Sequence, residues 1–299
     1  MTGATGFVGS HVIEQALASG HSVRAITRSP RENEAGVEWI TGTLEDAAAL
    51  AALVDGADAV LHIAGAVNVP TREAFAAANI AGTQAIVDAA VAATVRRFVH
   101  TSTIAARQPD LSNYGWSKAG AEEAVRASPL DWTVVRPPAV YGPRDRDMLD
   151  LFRMARRGVI LLPPHGRTSI IHVADLAALL LRLTVDPAAA LHQLFEPDDG
   201  APGGYSHREF GQLIGRAVGR PGVIRISAPR PLLHLAGRGD RLVRGAKARM
   251  TPDRASYMSH ADWVADPALA PPHELWQAQW CGAEGLAMTA EWYRAAGWL

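Results

Sequence analysis

Tyr114 and Lys118 stand four residues apart in Tyr114-Gly115-Trp116-Ser117-Lys118. On a helix that spacing places both side chains on one face. An unperturbed phenol, with a pKa near ~10, is a poor base at neutral pH. A lysine cation beside it favours the phenolate and makes the pair usable for acid–base chemistry. Such chemistry also wants a hydroxyl to hold a substrate oxygen, and Thr101-Ser102-Thr103 offers three in a row. A second constellation opens the chain: Thr2-Gly3-Ala4-Thr5-Gly6-Phe7-Val8-Gly9 spaces three glycines before an apolar run. Glycines serve where a pyrophosphate must approach the backbone, and the helix N-terminus that follows offers unpaired N–H groups to its charge.

These residues need strands and helices to hold them. Short apolar runs alternating with helical patterns predict a parallel sheet covered by helices. Strands are expected at Ser22–Thr27, Val37–Ile40, Ala59–Ile63, Arg97–Thr101, Trp132–Arg136 and Leu191–Glu196. Helices are expected at Val8–Ala18, Phe75–Ala93, Lys118–Ala127 and His207–Val218. Thr103 then follows a strand at the sheet's carboxyl edge, where doubly wound folds bind ligands. A strand should also precede the glycine loop, yet only Met1 stands before Thr2. The first strand is therefore expected to be missing from the chain, through truncation, a late start or replacement by another segment.

Composition narrows the class. Of 299 residues 48% are hydrophobic and 20% charged, as in an ordinary globular protein. The net charge of −1 supplies no global field for nucleic acid or an anionic membrane, so neither partner is expected. One cysteine, Cys281, leaves no internal disulfide and fits a reducing cytosol. No leader or apolar run near the ~20 residues of a bilayer span is evident, which points to the cytoplasm. Residues 1–141, with 171–196 returning to them, read as a dinucleotide-binding domain. Residues 142–170 and 197–299, which hold five of the eight Trp from Trp263 onward, read as a smaller substrate domain. The second strand ends Thr27-Arg28-Ser29-Pro30-Arg31 with no acid before Glu32. Arg28, with Arg31, suits a ribose 2′-phosphate rather than a 2′-hydroxyl, favouring NADP over NAD.

The whole chain resembles the extended short-chain dehydrogenase/reductase family, also called the NAD-dependent epimerase/dehydratase family, in its dihydroflavonol-reductase-like branch. The matching pieces are TGATGFVG (2–9), VRAITRSP (23–30), VLHIAG (60–65), NIAGT (79–83), FVHTST (98–103), YGWSK (114–118), VVRPPAVYGP (134–143) and IIHVADLA (170–177). The resemblance implies a Rossmann sheet and catalysis by Thr103, Tyr114 and Lys118, with Ser102 as the fallback hydroxyl. It implies a cofactor held by Gly3, Thr5, Gly6, Phe7, Val8, Gly9 and Arg28, then by Thr43, Leu44, Ala64, Gly65, Tyr114, Lys118 and Pro137. Asn79 matches a helix asparagine of mostly structural use. Two departures stand out. Thr43-Leu44 replaces the family's Asp-Leu beside the adenine, and only ten residues separate Thr103 from Tyr114.

The leading expectation is an NADP(H)-dependent oxidoreductase moving a hydride to or from a carbonyl or secondary alcohol of a small molecule. The alternatives are a nucleotide-sugar epimerase or dehydratase with retained NAD(P), and a non-catalytic cofactor sensor or complex subunit. A homodimer is the one protein assembly considered, and no metal-ligand spacing occurs. Several signals are set aside. Gly115-x-Ser117-x-Ala119 imitates a hydrolase elbow but no strand feeds it. Arg238-Gly239-Asp240 reads as an accident. The basic stretch Arg225–Arg254 reads as a solvated face or subunit contact, and the late Trp residues as core.

Overall fold

The computed structural model describes residues 1–299 except 186–187, 189, 230, 232–234, 236–237, 240–241 and 243–250. Asp240 and much of the basic stretch therefore lie outside the described residues. The chain divides into two compact units, the first formed by Met1–Arg136, Leu176–Phe195 and Pro271–Trp276. The second is formed by Pro137–Asp175, Glu196–Ala270 and Gln277–Leu299.

In the first unit α1 (Phe7–Ala18) leads to β1 (Val23–Thr27), β2 (Val37–Thr41), α2 (Ala47–Val54) and β3 (Ala59–His62). A continuous helical run follows: α3 (Arg72–Phe75), a π-helical stretch Ala76–Ala81, and α4 (Gly82–Ala92). Then come β4 (Arg97–Thr101), α5 (Asn113–Arg126) and β5 (Asp131–Val135). With β10 (Gln193–Phe195) these strands make a parallel sheet in the order β10-β5-β4-β3. Every residue of β4 is buried, as a central parallel strand covered on both faces requires.

Two expectations need correction. The helix expected from Lys118 starts earlier, at Asn113, because Ser112 caps it by accepting the Gly115 N–H at 3.0 Å. Tyr114 is thereby on the first turn. Arg72–Ala92 is also a 21-residue helical run of mean hydropathy 1.3, long and apolar enough to cross a membrane, which the apolar-run count had not anticipated. Ile86, Val87 and Ala90 bury one face of it in the core of this unit.

The sheet is interrupted where the first strand was expected. β1 and β2 form a separate parallel pair. Only Met1 and Thr2 join it to β3: Ile26 N–H donates to the Met1 carbonyl at 3.2 Å, and Thr2 N–H to the Leu61 carbonyl at 3.0 Å. Beneath that bridge lies a groove of about 600 Å³ lined by Val12, Val23, Leu53, Val60 and Leu61 among others.

The second unit begins with β6 (Ala139–Tyr141), α6 (Leu149–Arg156), β7 (Val159–Leu162), β8 (Arg167–Thr168) and β9 (Ile170–His172). The helix α7 (Val173–Val185) leaves it for the first unit. β11 (Tyr205–Ser206), α8 (His207–Ala217) and β12 (Ile224–Ser227) return. They are followed by α9 (Pro252–Met258), β13 (Asp262–Trp263) and α10 (Gly282–Ala295). The Ser206–Glu209 capping box starts α8. Phe152, Ile160, Ile170, Ile214, Leu286 and Tyr293 form its core, with Trp292 and Trp298 packed against it.

Candidate active site

β4 and α5 place the catalytic candidates in one unit. The backbone leaving β4 turns through two 3-10 segments, Ile104–Arg107 and Pro109–Leu111, into Ser112 and α5. Gly115 lets the first turn of α5 close on this connection, since a Cβ there would lie 2.7 Å from the Ala105 carbonyl oxygen.

The three hydroxyls of 101–103 are used differently. Ser102 is buried, and its hydroxyl donates to Glu122, whose carboxylate forms a bidentate pair with Arg136 at 2.8 and 2.6 Å. That hydroxyl is occupied in the core. Thr103 is half-buried, and its oxygen accepts the Ala105 N–H at 3.3 Å, leaving its proton to offer. The geometry favours Thr103 over Ser102 as the hydroxyl for a substrate oxygen.

Tyr114 is half-buried with its ring 6.3 Å from that of Phe75. Lys118 is buried, donating to the Thr101 carbonyl at 2.8 Å and standing 3.5 Å from His100 Nε2. Burial lowers its pKa to about 8, and Glu122 opposes that shift. The cation is thus held where releasing a proton is easier than for a surface lysine. His100 stacks on His62, centroids 5.2 Å apart and planes 20° apart. Both rings are pushed toward the neutral form, by burial first and by the Lys118 charge next, His62 down to about 3. Neutral His62 bridges Thr2 Oγ1 at 2.7 Å and Thr83 Oγ1 at 2.9 Å.

Asn79 ties the loop after β3 to α5. Its Oδ1 accepts the Ala66 N–H at 2.6 Å, and its Nδ2 donates to the Ala66 carbonyl at 2.9 Å and to Ser117 Oγ at 2.8 Å. It sits in the π-helical stretch, which widens the turn that carries it. Neither the π-stretch nor the Ser102–Glu122–Arg136 network was read from the sequence. A signal for the second existed, because Glu122 is four residues beyond Lys118.

The glycine loop has the shape a bound dinucleotide needs. Gly3 adopts φ +73°, and a Cβ there would lie 2.6 Å from Ala64 N. A Cβ on Gly9 would lie 2.1 Å from the Gly3 oxygen. Gly6 caps α1 without a side-chain hydrogen bond, so no side chain of the cap takes up the first N–H groups of the helix. Arg28 is exposed just past β1, and Arg31 lies over Trp39 at 5.0 Å. Thr43 is exposed and accepts the Glu45 N–H at 3.2 Å, while Leu44 packs where a Cβ on Gly82 would be 2.9 Å away. Gly65 is exposed, with Ala64 half-buried before it, and a Cβ on Gly65 would be 3.5 Å from Lys118 Nζ. Pro137 opens the second unit.

Comparison with known proteins identifies the family. A family model described as NAD(P)H-binding matches residues 3–187. A ceramide reductase of Caulobacter vibrioides is 36% identical over 100% of this chain and 95% of its own. A 4-hydroxy-2-methyl-3-oxo-4-farnesyl-3,4-dihydroquinoline-1-oxide ketoreductase of Stigmatella aurantiaca is 31% identical, covering 68% of each chain. Among solved structures, the Bordetella bronchiseptica enzyme WbmG with NAD and UDP shares the fold at TM-score 0.75 and 20% identity, covering 99% and 94% of the two chains. The chain belongs to the NAD(P)H-binding family of Rossmann enzymes, in its extended short-chain dehydrogenase/reductase form. Within that class it is an NAD(P)-dependent oxidoreductase.

Proposed function

We propose that this protein is an NADP(H)-dependent reductase that converts a ketone on a lipid-like molecule to a secondary alcohol. The observation that carries the reading is whole-chain similarity to a ceramide reductase joined to a Thr103, Tyr114 and Lys118 set on β4 and α5. The 2-alkyl-3-oxoalkanoate reductase of Stenotrophomonas maltophilia, 30% identical over 75% of this chain, supports an alkyl-flanked ketone as substrate.

The residues fit the cofactor. Gly3, Gly6 and Gly9 leave room for a pyrophosphate at the start of α1, and exposed Arg28 carries the charge for a 2′-phosphate. Bound NADPH would supply the hydride. Thr103 donates a hydrogen bond to the ketone oxygen, keeping its own proton, and fixes the carbonyl. Tyr114 gives up its phenolic proton as that oxygen gains negative charge, and the Lys118 ammonium stabilises the phenolate left behind. Asn79 and Gly115 position this set without touching substrate.

The test is NADPH consumption by purified protein with a long-chain 3-oxo amide, a 2-alkyl-3-oxoalkanoate and a short ketone, beside UDP-sugars. Reduction of the long-chain ketones, faster with NADPH than NADH, is expected. Epimerised UDP-sugar with no ketone reduced would replace the reading with that of a nucleotide-sugar epimerase. Cofactor binding without turnover of any substrate would make it a sensor.

A further inference from the structure

The parallel pair β7–β12 in the second unit has one covered face and one bare one. Ile160 and Leu162 point inward, and Gly211 of α8 sits against Leu162. The register sets Val159 beside Ile224 and Leu161 beside Ile226 on the opposite face. There the four side chains are 40%, 60%, 37% and 47% exposed. Parallel strands are ordinarily covered on both faces, so four aliphatic chains in water on such a pair require explanation. Farther along the chain, Leu235 and Leu242 are also exposed, at 65% and 90%.

The charge around this face has one sign. Arg157 lies just ahead of β7 and Arg220 just ahead of β12, and because the strands run parallel both stand at the same end. Arg156 joins them, and all three are exposed. From Arg216 to Pro229 the chain carries three arginines and no acid. The whole-chain net charge of −1 averages this asymmetry away.

We propose that this face docks peripherally on an anionic lipid bilayer. Aliphatic side chains enter the acyl boundary while arginines meet the headgroup phosphates, the two signals that stable but reversible attachment needs. A single-stranded nucleic acid would satisfy the arginines but finds no aromatic platform on this face, where the outward residues are aliphatic. The inference extends the lipid-substrate reading by locating the surface from which such a substrate is reached, and it stands or falls separately.

The experiment is flotation of the full chain with vesicles of phosphatidylcholine alone or mixed with phosphatidylglycerol, at low and high salt. The wild type is expected to float with the mixed vesicles, to stay behind with phosphatidylcholine alone, and to be released by salt. The Ile224→Glu/Ile226→Glu variant should lose binding by about tenfold or more, with melting temperature and NADPH binding unchanged. Arg156→Gln/Arg157→Gln keeps the apolar face and should be released at lower salt. A wild type that ignores mixed vesicles overturns the proposal, as does an Ile224→Glu/Ile226→Glu variant that floats as well as wild type. A concentration-dependent dimer that Ile226→Glu abolishes would assign the face to a second copy instead. Vesicle binding without ketone reduction would overturn the proposed function alone; ketone reduction in detergent without vesicle binding would overturn the surface alone.

Discussion

β4 and β1 each lead into a residue that the proposed chemistry uses, Thr103 and Arg28, and they are supported very differently. β4 is paired on both sides, by β3 and β5, and is buried along its whole length. Its loop is further fixed by Ser102–Glu122–Arg136 and by Lys118 on the Thr101 carbonyl. Among the described residues β1 pairs with β2, and on its other side the Ile26 N–H donates to the Met1 carbonyl. The residues proposed for catalysis thus sit beside a strand paired on both sides, whereas β1 is paired with β2. Residues that must hold angles within a proton's reach gain from the first arrangement. The loop at Gly3 relies on close backbone contact with Ala64 instead.

Breaking the chemistry without touching the scaffold should give the largest effect. Tyr114→Phe is expected to lower kcat about a thousandfold, within the usual range for a positioned general acid, while NADPH affinity stays within about twofold. Turnover assays paired with fluorescence titration of NADPH check both halves. A variant that kept a tenth of the rate would move the proton donor elsewhere.

Breaking the scaffold under β4 comes next. Arg136→Met leaves the Glu122 carboxylate buried without its cation, and the expected cost is about 3 kcal/mol of stability, seen as a lower urea midpoint. No loss would mean that water or another group takes the place of Arg136.

The His62–His100 stack adds a pH dependence on the same side of the comparison. Folding lowers both pKa values, so below the ordinary histidine range the unfolded chain takes up protons that the folded one excludes. Stability is therefore lost as pH falls from about 6.5 toward the folded value of about 3 for His62. At pH 5 the loss from His62 is on the order of 2 kcal/mol. Melting temperatures from pH 7 to 5 should fall steeply in wild type and less steeply in His62→Gln. Parallel slopes would show that other groups govern acid unfolding.

On the β1 side the effects are smaller. Arg28→Ala should narrow the preference for NADPH over NADH by roughly 1–3 kcal/mol, measured as the ratio of Kd values by calorimetry. A wild type that prefers NADH would remove the 2′-phosphate reading. Amide exchange offers the direct comparison: β1 amides should open at least about tenfold more often than those of Val99 and His100 in β4. Equal protection would mean that β1 is held as firmly as β4.

Sequence alone determined the alternation of strands and helices, the glycine loop, and the Tyr114–Lys118 spacing, because each is a local pattern with a local physical cause. The strand at Arg97–Thr101 was legible for the same reason, an apolar run that a covered parallel strand must have. The start of α5 was not, because it depends on Ser112 capping a helix whose first turn carries polar Asn113 and Tyr114. The resemblance already preferred Thr103 to Ser102, but the engagement of the Ser102 hydroxyl was closed to the sequence, since it turns on Glu122 and Arg136, both more than a dozen residues away. The bare aliphatic face was hidden too: β7 and β12 each read as short apolar runs, and apolar runs look alike whether buried or exposed. Which face of a strand meets the core is decided by what packs on it, here α8 against Leu162 while Leu161 stays 37% exposed, and that is a property of the tertiary structure alone.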